Sequence, residues 1–327
     1  MKALLLVGGF ATRLRPLSLS RPKCLFPLDN KPIIDYLLEN LGKAGCSEAV
    51  LAVNNHAEMI MKHLGHEKYG IKLRYSLEET PLGTGGPIKY AEDILRGEDF
   101  LVLNGDILSF IDYRVLFDTH TRLQPIATVT LTQVDDPSRY GVVRLSQDDR
   151  ILEFVEKPPI QKAPSNWINA GCYALSPKVL DIIPESKVSI ERDVFPKLAE
   201  QSQLMGYKYY GKWIDIGVPE DYLEANRMLQ TDALEKVAWI NPKSVVGRGS
   251  KILDSIIWEN SSIGRNTTII HSIIGANVTV GENVLIERAI LADNVRIDKN
   301  LIIAPGTKIG PNIHIETSIK RPGIEIN

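Results

Sequence analysis

The sequence has few cysteines, almost no net charge and no long apolar run. Its three cysteines, Cys24, Cys46 and Cys172, are odd in number and widely spaced, which predicts neither a disulfide framework nor a cysteine-based zinc site. The net charge of −2 argues against a general nucleic-acid or membrane-surface binder. No apolar stretch approaches the roughly 20 residues of a membrane span. We therefore expect a reducing, cytoplasmic setting without a membrane or nucleic-acid partner.

Up to about residue 235 the sequence alternates between strand-like and helix-like patterns. The runs ALLLV (3–7), EAVLAV (48–53) and FLVLN (100–104) are nearly all apolar, as expected for strands buried on both faces of a sheet. Between the first two, the segment KPIIDYLLENLGKAG has apolar residues at helical spacing. The alternation predicts an α/β domain over 1–235 with a mostly parallel sheet, whose ligands bind at the carboxyl ends of the strands.

The pattern changes at residue 236. From there to residue 327, an aliphatic residue followed by glycine or a small polar residue recurs in steps of about six residues, as in IG (274–275) and VG (280–281). This hexapeptide pattern is typical of a parallel β-helix, in which each coil buries a face against the next. A β-sandwich with Gly and Asn turns is the alternative, but its apolar residues would alternate. We expect 236–327 to form a β-helix domain that stacks on a second copy, giving a homo-oligomer.

A glycine pair follows the first predicted strand, in the segment VGGFATRLR. Two phosphate-binding motifs are absent from it: the G-x-x-x-x-G-K-[ST] of a P-loop and the G-x-G-x-x-G of a dinucleotide fold. The turn instead precedes Arg13, Arg15 and Lys23. Backbone N–H groups together with several cations suit a triphosphate or pyrophosphate. A surface loop that is merely basic is the alternative.

Two carboxylates are candidates for a metal site. Asp106 follows a buried strand and a glycine in LNGD, and Asp215 lies between aliphatic residues in KWIDIG. A carboxylate at a strand end that faces a phosphate loop is a suitable ligand for Mg²⁺, which prefers oxygen. Asn-Gly-Asp is also a good turn, so the signal rests on the two carboxylates together.

Three further segments place polar residues in strand-like or helix-capping positions. Glu156 and Lys157 lie in FVEKP and Asn169 lies in INAGCYAL; these are candidates for sugar hydroxyl or phosphate contacts, or else turn and edge-strand residues. The segment PLGTGG (81–86) precedes a predicted helix, where it could seat a base or ribose, or act only as a loop and cap.

Taken together, these motifs resemble the sugar-1-phosphate nucleotidyltransferases over almost the whole chain. That family's signature, a glycine pair followed by x-G-T-R-L-x-P-L-[ST] and a later Pro-Lys, is matched by GGFATRLRPLS and RPK. PLGTGG, LNGD, YGVV, EKP, NAG and WIDIG follow in order. The resemblance implies a Rossmann-like, mostly parallel nucleotidyltransferase domain and a C-terminal left-handed parallel β-helix. It also implies in-line, Mg²⁺-assisted transfer of a nucleotidyl group from a nucleoside triphosphate to a sugar 1-phosphate, with release of pyrophosphate.

Within the family, the chain looks most like the guanylyltransferases that use GTP and mannose 1-phosphate, on segments such as DDPSRYGVV and WIDIGVPEDYLEAN. UTP, dTTP or ATP with glucose 1-phosphate are alternative substrates. A non-catalytic regulatory relative that binds nucleotide sugars is a second alternative. A β-helix acyltransferase is a third, and it would need a catalytic histidine in the coils, such as His271.

The resemblance also implies roles for individual residues. Arg13 would hold the leaving phosphates, and Lys23 would neutralise charge on the α-phosphate. Asp106 and Asp215 would hold Mg²⁺, and Lys157 would bind the sugar phosphate. The expected catalytic residues are thus Arg13, Lys23 and Asp106. The expected nucleotide-binding residues are Leu6, Gly8, Gly9, Ala11, Thr12, Arg13, Gly83 and Asp106. The residues expected to contact the sugar phosphate are Gly141, Glu156, Lys157 and Asn169.

Two positions depart from the family signature. Ala11 stands where the signature has glycine, so its methyl group costs about 1 kcal/mol if its φ is positive. Cys24 stands where the family usually has proline, which could loosen the loop that carries Lys23. Ala11 favours the non-catalytic alternative, whereas the presence of Arg13, Lys23 and both candidate metal ligands favours an enzyme.

Overall fold

A computed structural model describes residues 1–29, 31–54, 56–78, 80–230 and 238–326. The strands before the β-helix are Lys2–Leu6 (β1), Pro27–Leu28 (β2), Lys31–Pro32 (β3), Glu48–Val53 (β4), Glu67–Lys68 (β5), Ile71–Leu77 (β6), Phe100–Asn104 (β7), Ile107–Ser109 (β8), Ala127–Gln133 (β9), Gly141–Leu145 (β10), Ile151–Glu156 (β11), Trp167–Leu175 (β12), Leu204–Lys208 (β13) and Trp213–Asp215 (β14). The helices are Ile33–Lys43 (α1), Ala57–Leu64 (α2), Gly86–Tyr90 (α3), Glu92–Leu95 (α4), Tyr113–Leu123 (α5), Val179–Ile182 (α6), Phe195–Glu200 (α7) and Pro219–Leu229 (α8). Short 3₁₀ turns lie at Thr12–Leu14, Leu17–Leu19, Lys23–Leu25, Pro137–Arg139 and Ile160–Lys162, and a π-helical turn lies at Ile190–Val194.

The strands of the C-terminal part are short. They are Trp239–Ile240 (β15), Val245–Val246 (β16), Lys251–Leu253 (β17), Ile256–Ile257 (β18), Ser262–Ile263 (β19), Thr268–Ile270 (β20), Ile273–Ile274 (β21), Thr279–Val280 (β22), Leu285–Glu287 (β23), Ile290–Leu291 (β24), Arg296–Ile297 (β25), Ile302–Ile303 (β26), Lys308–Ile309 (β27), His314–Ile315 (β28) and Glu325–Ile326 (β29). Among the described residues, no helix is long and apolar enough to cross a membrane.

The chain divides into two compact units. The first contains Met1–Gly9 and Ile34–Trp213, and the second contains Phe10–Ile33 and Ile214–Asn327. The division falls directly after the glycine pair, so the basic segment that follows belongs to the second unit. The predicted domain boundary between residues 235 and 236 lies outside the described residues and stays a prediction.

The first unit is built on a ten-stranded sheet. Eight strands follow the order β11-β10-β12-β7-β1-β4-β6-β5, and β9 joins β12 to β13. The strands β7, β1, β4 and β6 run parallel, which confirms the pairing expected of the apolar runs. β12 runs antiparallel to β7, and β10 and β11 extend the sheet in antiparallel pairs.

The core of the first unit lies where helices cover this sheet. Leu4 and Val102 of the central strands, Tyr173 of β12 and Phe195 of α7 are fully buried in one cluster. Burial of such side chains contributes about 1.5–3 kcal/mol each. α5 begins at a defined residue, because the carboxylate of Asp112 accepts the N–H groups of the first turn.

The C-terminal part of the second unit is a parallel β-helix of three sheets. Strands in neighbouring coils pair in register at a spacing of 17 or 18 residues, as in Ile256 with Ile273 and Ile290 with Lys308. The glycines of the hexapeptide pattern are required by close approach of the coils. A Cβ on Gly264 would lie 2.5 Å from the backbone of Gly281 in the next coil. The predicted β-helix is confirmed, and its interior is filled by stacked aliphatic side chains.

The segment Phe10–Ile33 of the second unit packs on aromatic side chains. The ring of Phe26 contacts Tyr222 of α8 and Trp258 of the β-helix at centroid distances of 5.5 and 5.0 Å. The Arg21 guanidinium lies over the Trp258 ring at 4.6 Å and pairs with Glu259. Within this unit, the basic segment is therefore fixed against α8 and the first coils.

Candidate active site

The turns after β1 and β7 lie side by side in the first unit. The two strands pair in parallel with Leu6 opposite Asn104. Gly105 N donates to Leu6 O at 2.9 Å, and a Cβ on Gly105 would lie only 2.3 Å from Val7 Cγ1. Glycine is therefore required in LNGD for the turns to meet, and Asp106 follows at this edge of the sheet.

The glycine pair that follows β1 leaves backbone accessible at the same edge. A Cβ on Gly8 would lie 3.1 Å from Asn54 Nδ2, whereas no atom lies within 4 Å of a Cβ built on Gly9. Gly8 is half-buried and Gly9 is exposed. This open turn is adjacent to the Asp106 turn, and phosphate binding at this edge stays a prediction.

Asn169 lies on the other side of the Asp106 turn, in an irregular part of β12. Its Oδ1 accepts Gly171 N at 2.8 Å and its Nδ2 donates to Tyr173 Oη at 2.8 Å. Gly171 has φ +68°, and a Cβ there would lie 2.7 Å from Asn104 Nδ2. The NAG segment therefore packs directly on the LNGD turn, which requires glycine at its third position.

The last candidates along this edge of the sheet lie on β10, at the end of β11 and directly after it: they are Gly141, Glu156 and Lys157. Gly141 pairs with Glu156 across β10 and β11, and a Cβ on Gly141 would lie 2.9 Å from Glu156 Oε2. Lys157 has φ +52° and its Nζ lies 3.1 Å from Glu156 Oε1. One sheet edge of the first unit thus carries, in strand order, the sugar-phosphate candidates, Asp106 and the glycine pair.

The residues around Asp106 offer oxygen donors of the kind that Mg²⁺ prefers. The half-buried Asp106 carboxylate supplies one. Asn104 Oδ1, two residues earlier, is buried without a hydrogen-bond partner among the described residues. A buried acceptor that is left unpaired is costly and calls for a ligand. The donor set of this turn therefore fits a hard divalent cation or a substrate hydroxyl.

A buried network of polar side chains lies behind Asn169 at this sheet edge. Nothing in the sequence predicted it. Tyr173 Oη, which accepts from Asn169, donates to Glu191 Oε1 at 3.2 Å. The other oxygen of Glu191 accepts from Thr84 and, at 2.7 Å, from Ser189 Oγ. Burial raises the pKa of Tyr173 well above its ordinary value, so its hydroxyl stays protonated. The network joins Asn169 to the PLGTGG segment.

The Gly83 turn is held by the same part of the chain. Gly83 has φ +80°, and a Cβ there would lie 2.3 Å from Val188 O. Gly85 N donates to Val188 O at 3.0 Å, and Val188 N donates to Leu82 O at 3.0 Å. The segment 81–86, which is the candidate loop for nucleoside binding, is therefore held in place by backbone hydrogen bonds.

Ala11, Thr12, Arg13, Lys23 and Asp215 all lie in the second unit. Ala11 has φ 45° and ψ 44°, the left-handed conformation that favours glycine. Its carbonyl accepts Leu14 N at 3.0 Å and Ser18 Oγ at 2.9 Å, which fixes that conformation. Thr12 and Arg13 follow it and are exposed.

Within this unit, Lys23 and Asp215 form an ion pair. Lys23 Nζ lies 3.7 Å from Asp215 Oδ1, and both side chains are largely covered. Cys24, at the family's proline position, is buried within the 3₁₀ turn Lys23–Leu25. The structure thus brings together the lysine expected to face the α-phosphate and one carboxylate expected to hold the metal.

Comparison with known proteins gives two family matches. The model described as "Nucleotidyl transferase" matches residues 2–232, and the model described as "EIF2B subunit epsilon LbH domain" matches residues 220–320. The second match agrees with the left-handed β-helix expected for the C-terminal part. Together with the fold they confirm the predicted class, an α/β nucleotidyltransferase domain followed by a left-handed β-helix.

The curated relatives that the chain matches are named as mannose-1-phosphate guanylyltransferases or as a catalytic subunit of one. The "Mannose-1-phosphate guanyltransferase" of Candida albicans is 42% identical over 242 residues, 72% of this chain and 66% of that protein. The "Mannose-1-phosphate guanylyltransferase catalytic subunit beta" of Drosophila pseudoobscura pseudoobscura is 42% identical, over 76% of this chain and 67% of its own. The matched region thus spans about two thirds of these relatives.

A solved structure supports the fold of the first part of the chain. The putative glucose-1-phosphate thymidylyltransferase of Bacillus anthracis aligns with a TM-score of 0.66 and 24% identity, over 72% of this chain and 98% of its own. At that identity the likeness concerns the fold.

Proposed function

Because the chain belongs to the nucleotidyl transferase family, we propose that it converts GTP and mannose 1-phosphate to GDP-mannose and pyrophosphate. A phosphate oxygen of mannose 1-phosphate attacks the α-phosphorus of GTP in line. The bond from that phosphorus to the oxygen bridging to the β-phosphate breaks, and pyrophosphate leaves. The observation that carries the proposal is the single sheet edge on which glycine pair, carboxylate and sugar-phosphate candidates follow one another.

The first unit would bind both substrates along that edge. Gly8 and Gly9 present backbone N–H groups to the triphosphate, and the fixed turn at Gly83 contacts the nucleoside. At the other end, Lys157 binds the phosphate of the sugar. Asn169, whose amide is oriented by Tyr173, contacts sugar hydroxyls. Such positioning supplies much of the rate of a phosphoryl-type transfer.

The second unit would supply the positive charge. Arg13, on an exposed turn, binds the leaving pyrophosphate, and Lys23 neutralises charge that develops at the α-phosphate. The ion pair with Asp215 orients the Lys23 ammonium before substrate arrives.

We further propose Mg²⁺ as the metal. Asp106 and Asp215 would hold it, with Asn104 Oδ1 as an additional oxygen donor near Asp106. When bound, the cation supplies neutralisation of phosphate charge. A cytoplasmic reaction fits the three cysteines, all of which are free thiols.

The test is a matrix of pyrophosphate release with purified protein and Mg²⁺. GTP, UTP, dTTP and ATP are each combined with mannose 1-phosphate and glucose 1-phosphate. We expect release with GTP and mannose 1-phosphate, reduced at least about 100-fold in Asp106→Asn. The exposed Asp118→Asn is the matched control, and it should retain activity. Release with another pair would replace the substrate assignment.

Ala11 favours a second candidate, a binding subunit without turnover. Its left-handed conformation puts a methyl group where the signature has none. If no substrate pair gives pyrophosphate release, but GDP-mannose raises the melting temperature of the protein, the chain is such a binding subunit.

We also propose that the chain forms a homo-oligomer through the β-helix. One sheet of the helix, β17-β20-β23-β26, presents outward apolar side chains that are 37–49% exposed: Leu253, Leu285 and Ile302. An apolar face of this kind favours self-association. Analytical ultracentrifugation should give a mass above that of the monomer, and Leu285→Glu should reduce it to the monomer's.

A further inference from the structure

The corners of the β-helix carry residues in the left-handed conformation, and the three corners differ. Asn260, Asn277, Asn294 and Asn312 occupy the first corner, and Gly249, Asn266, Asn283 and Asn300 occupy the second. The third corner carries Asp254, His271, Arg288, Gly306 and Gly323. Glycine, asparagine, aspartate and histidine are the residues most often found in this conformation, whereas the longer arginine side chain adopts it under strain, so Arg288 is the strained residue of the third corner. Strain that persists at defined positions indicates a function for the side chains.

Arg288 lines a cavity of about 610 Å³ within the second unit, together with His271 and Gly306 of the same corner. Its charged wall contains Arg13, Arg288 and Lys308, and one carboxylate, Glu220. Glu220 lies in the first turn of α8, and Pro219 of the same turn also lines the cavity. Lys308 pairs with Glu325 at 2.7 Å, whereas Arg288 has no ion-pair partner among the described residues. The balance of charge in the cavity is therefore positive.

The histidine of this corner is oriented by its neighbours. His271 Nδ1 lies 2.8 Å from Asp254 Oδ2, and Arg227 Nη1 lies 2.6 Å from Asp254 Oδ1. Burial alone would raise the pKa of Asp254, but these two hydrogen bonds outweigh it and the pKa lies below its ordinary value. The ionised carboxylate accepts a hydrogen bond from Nδ1–H of His271, which leaves Nε2 as the ring nitrogen available to a ligand.

We propose that this cavity binds a phosphate-bearing metabolite of up to nucleotide size. Arg288 gives a forked pair of donors to the phosphate, and Lys308 adds a point charge. His271 Nε2 adds a polar contact. Ile273 and Ile290 form an apolar wall for the rest of the ligand. The volume lies within the range of about 300–1,000 Å³ typical of small-molecule sites.

Occupancy of the cavity inhibits transfer through Arg13. The same side chain lines the cavity and, by the proposed function on which this part rests, binds the leaving phosphates of GTP. A phosphate in the cavity attracts the Arg13 guanidinium, so GTP binds less tightly. The expected effect is a raised KM for GTP.

The test uses glucose 6-phosphate as the probe, because it lacks the phosphate at C1 that transfer requires. Inorganic phosphate serves as a second probe, and glucose as the uncharged control. Binding to the full chain is measured by isothermal titration calorimetry without Mg²⁺ or nucleotide. Arg288→Asn removes the charge and installs the residue found at the other two corners, so the coil should fold at least as well. Lys251→Asn, an exposed cation elsewhere on the β-helix, is the matched control.

We expect glucose 6-phosphate to bind the wild-type protein about tenfold more tightly than Arg288→Asn, the loss of one charge-assisted pair. Lys251→Asn should change the Kd less than about twofold. Saturating glucose 6-phosphate should raise KM for GTP in the wild type, and Arg288→Asn should need about tenfold more of it for the same rise. Unchanged affinity in Arg288→Asn, no binding to the wild type, or an unaffected KM would each overturn the proposal. The calorimetry remains decisive if no transfer is found with any substrate pair.

Discussion

Replacing Tyr222 by phenylalanine should destabilise the second unit strongly. The Tyr222 hydroxyl is fully buried, donates to Pro27 O and accepts from Trp258 Nε1 at 3.0 Å. Burial raises the pKa of this phenol, so the hydroxyl is protonated at all ordinary pH values. Tyr222→Phe keeps the ring contact with Phe26 but leaves a buried carbonyl and a buried indole N–H unpaired.

The magnitude follows from these two groups. Each buried polar group left unpaired costs about 1–3 kcal/mol, so the free energy of unfolding should fall by about 3 kcal/mol. Urea unfolding followed by tryptophan fluorescence measures it, since Trp258 itself reports on the site. Tyr210→Phe, at a side chain that is 77% exposed, is the control and should change stability by less than about 0.5 kcal/mol. A loss below about 1 kcal/mol for Tyr222→Phe would refute the reasoning.

Three further predictions concern other parts of the chain. Ala11→Gly relieves about 1–2 kcal/mol of left-handed strain in the folded state, but the added freedom of glycine stabilises the unfolded state by about 0.4–1 kcal/mol. The free energy of unfolding measured in urea should therefore rise by about 0.5–1 kcal/mol, and a fall would contradict this prediction. Burial raises the pKa of Cys46 to about 11 and of Cys172 to about 12, so a thiol reagent at pH 8 should titrate both only after denaturation. Because the folded pKa of Asp254 lies below its unfolded value of about 3.8, its contribution to stability is present above that pH and is lost as pH falls through the folded pKa. Asp254→Asn should therefore cost about 2 kcal/mol at pH 7, and the difference from wild type should vanish in acid.

The sheet edge was predictable from local sequence. Short apolar runs such as residues 4–7 that alternate with helical segments favour a buried parallel sheet, and a glycine turn at the end of a run places its polar residues at the same edge. Gly8 and Asp106 are adjacent for that reason. The β-helix was predictable because every coil has the same structure and therefore needs aliphatic and glycine residues at the same positions, which gives a repeating sequence pattern.

The buried contacts that hold the candidate site residues in place were not predictable from the sequence. Glu191 and Thr84 are 107 residues apart in sequence, and nothing local to either indicates that they meet in a buried network. The packing of Phe26 on Tyr222 and Trp258 is hidden for the same reason, since long-range contacts between single aromatic residues leave no periodic pattern. Glu191 lies in the turn Ile190–Val194 beside two other charged residues, Arg192 and Asp193, so the local sequence gives no signal that it is the buried one.

The most direct test of the account is a ³¹P NMR time course of the purified chain with GTP, mannose 1-phosphate and MgCl₂. The account predicts that the β-phosphate signal of GTP and the monoester signal of mannose 1-phosphate decline together. The two coupled signals of a nucleoside diphosphate sugar and the single signal of pyrophosphate should rise at the same rate. Signals of GTP and mannose 1-phosphate that persist unchanged, while GDP-mannose still binds, would contradict the claim that this chain performs the transfer.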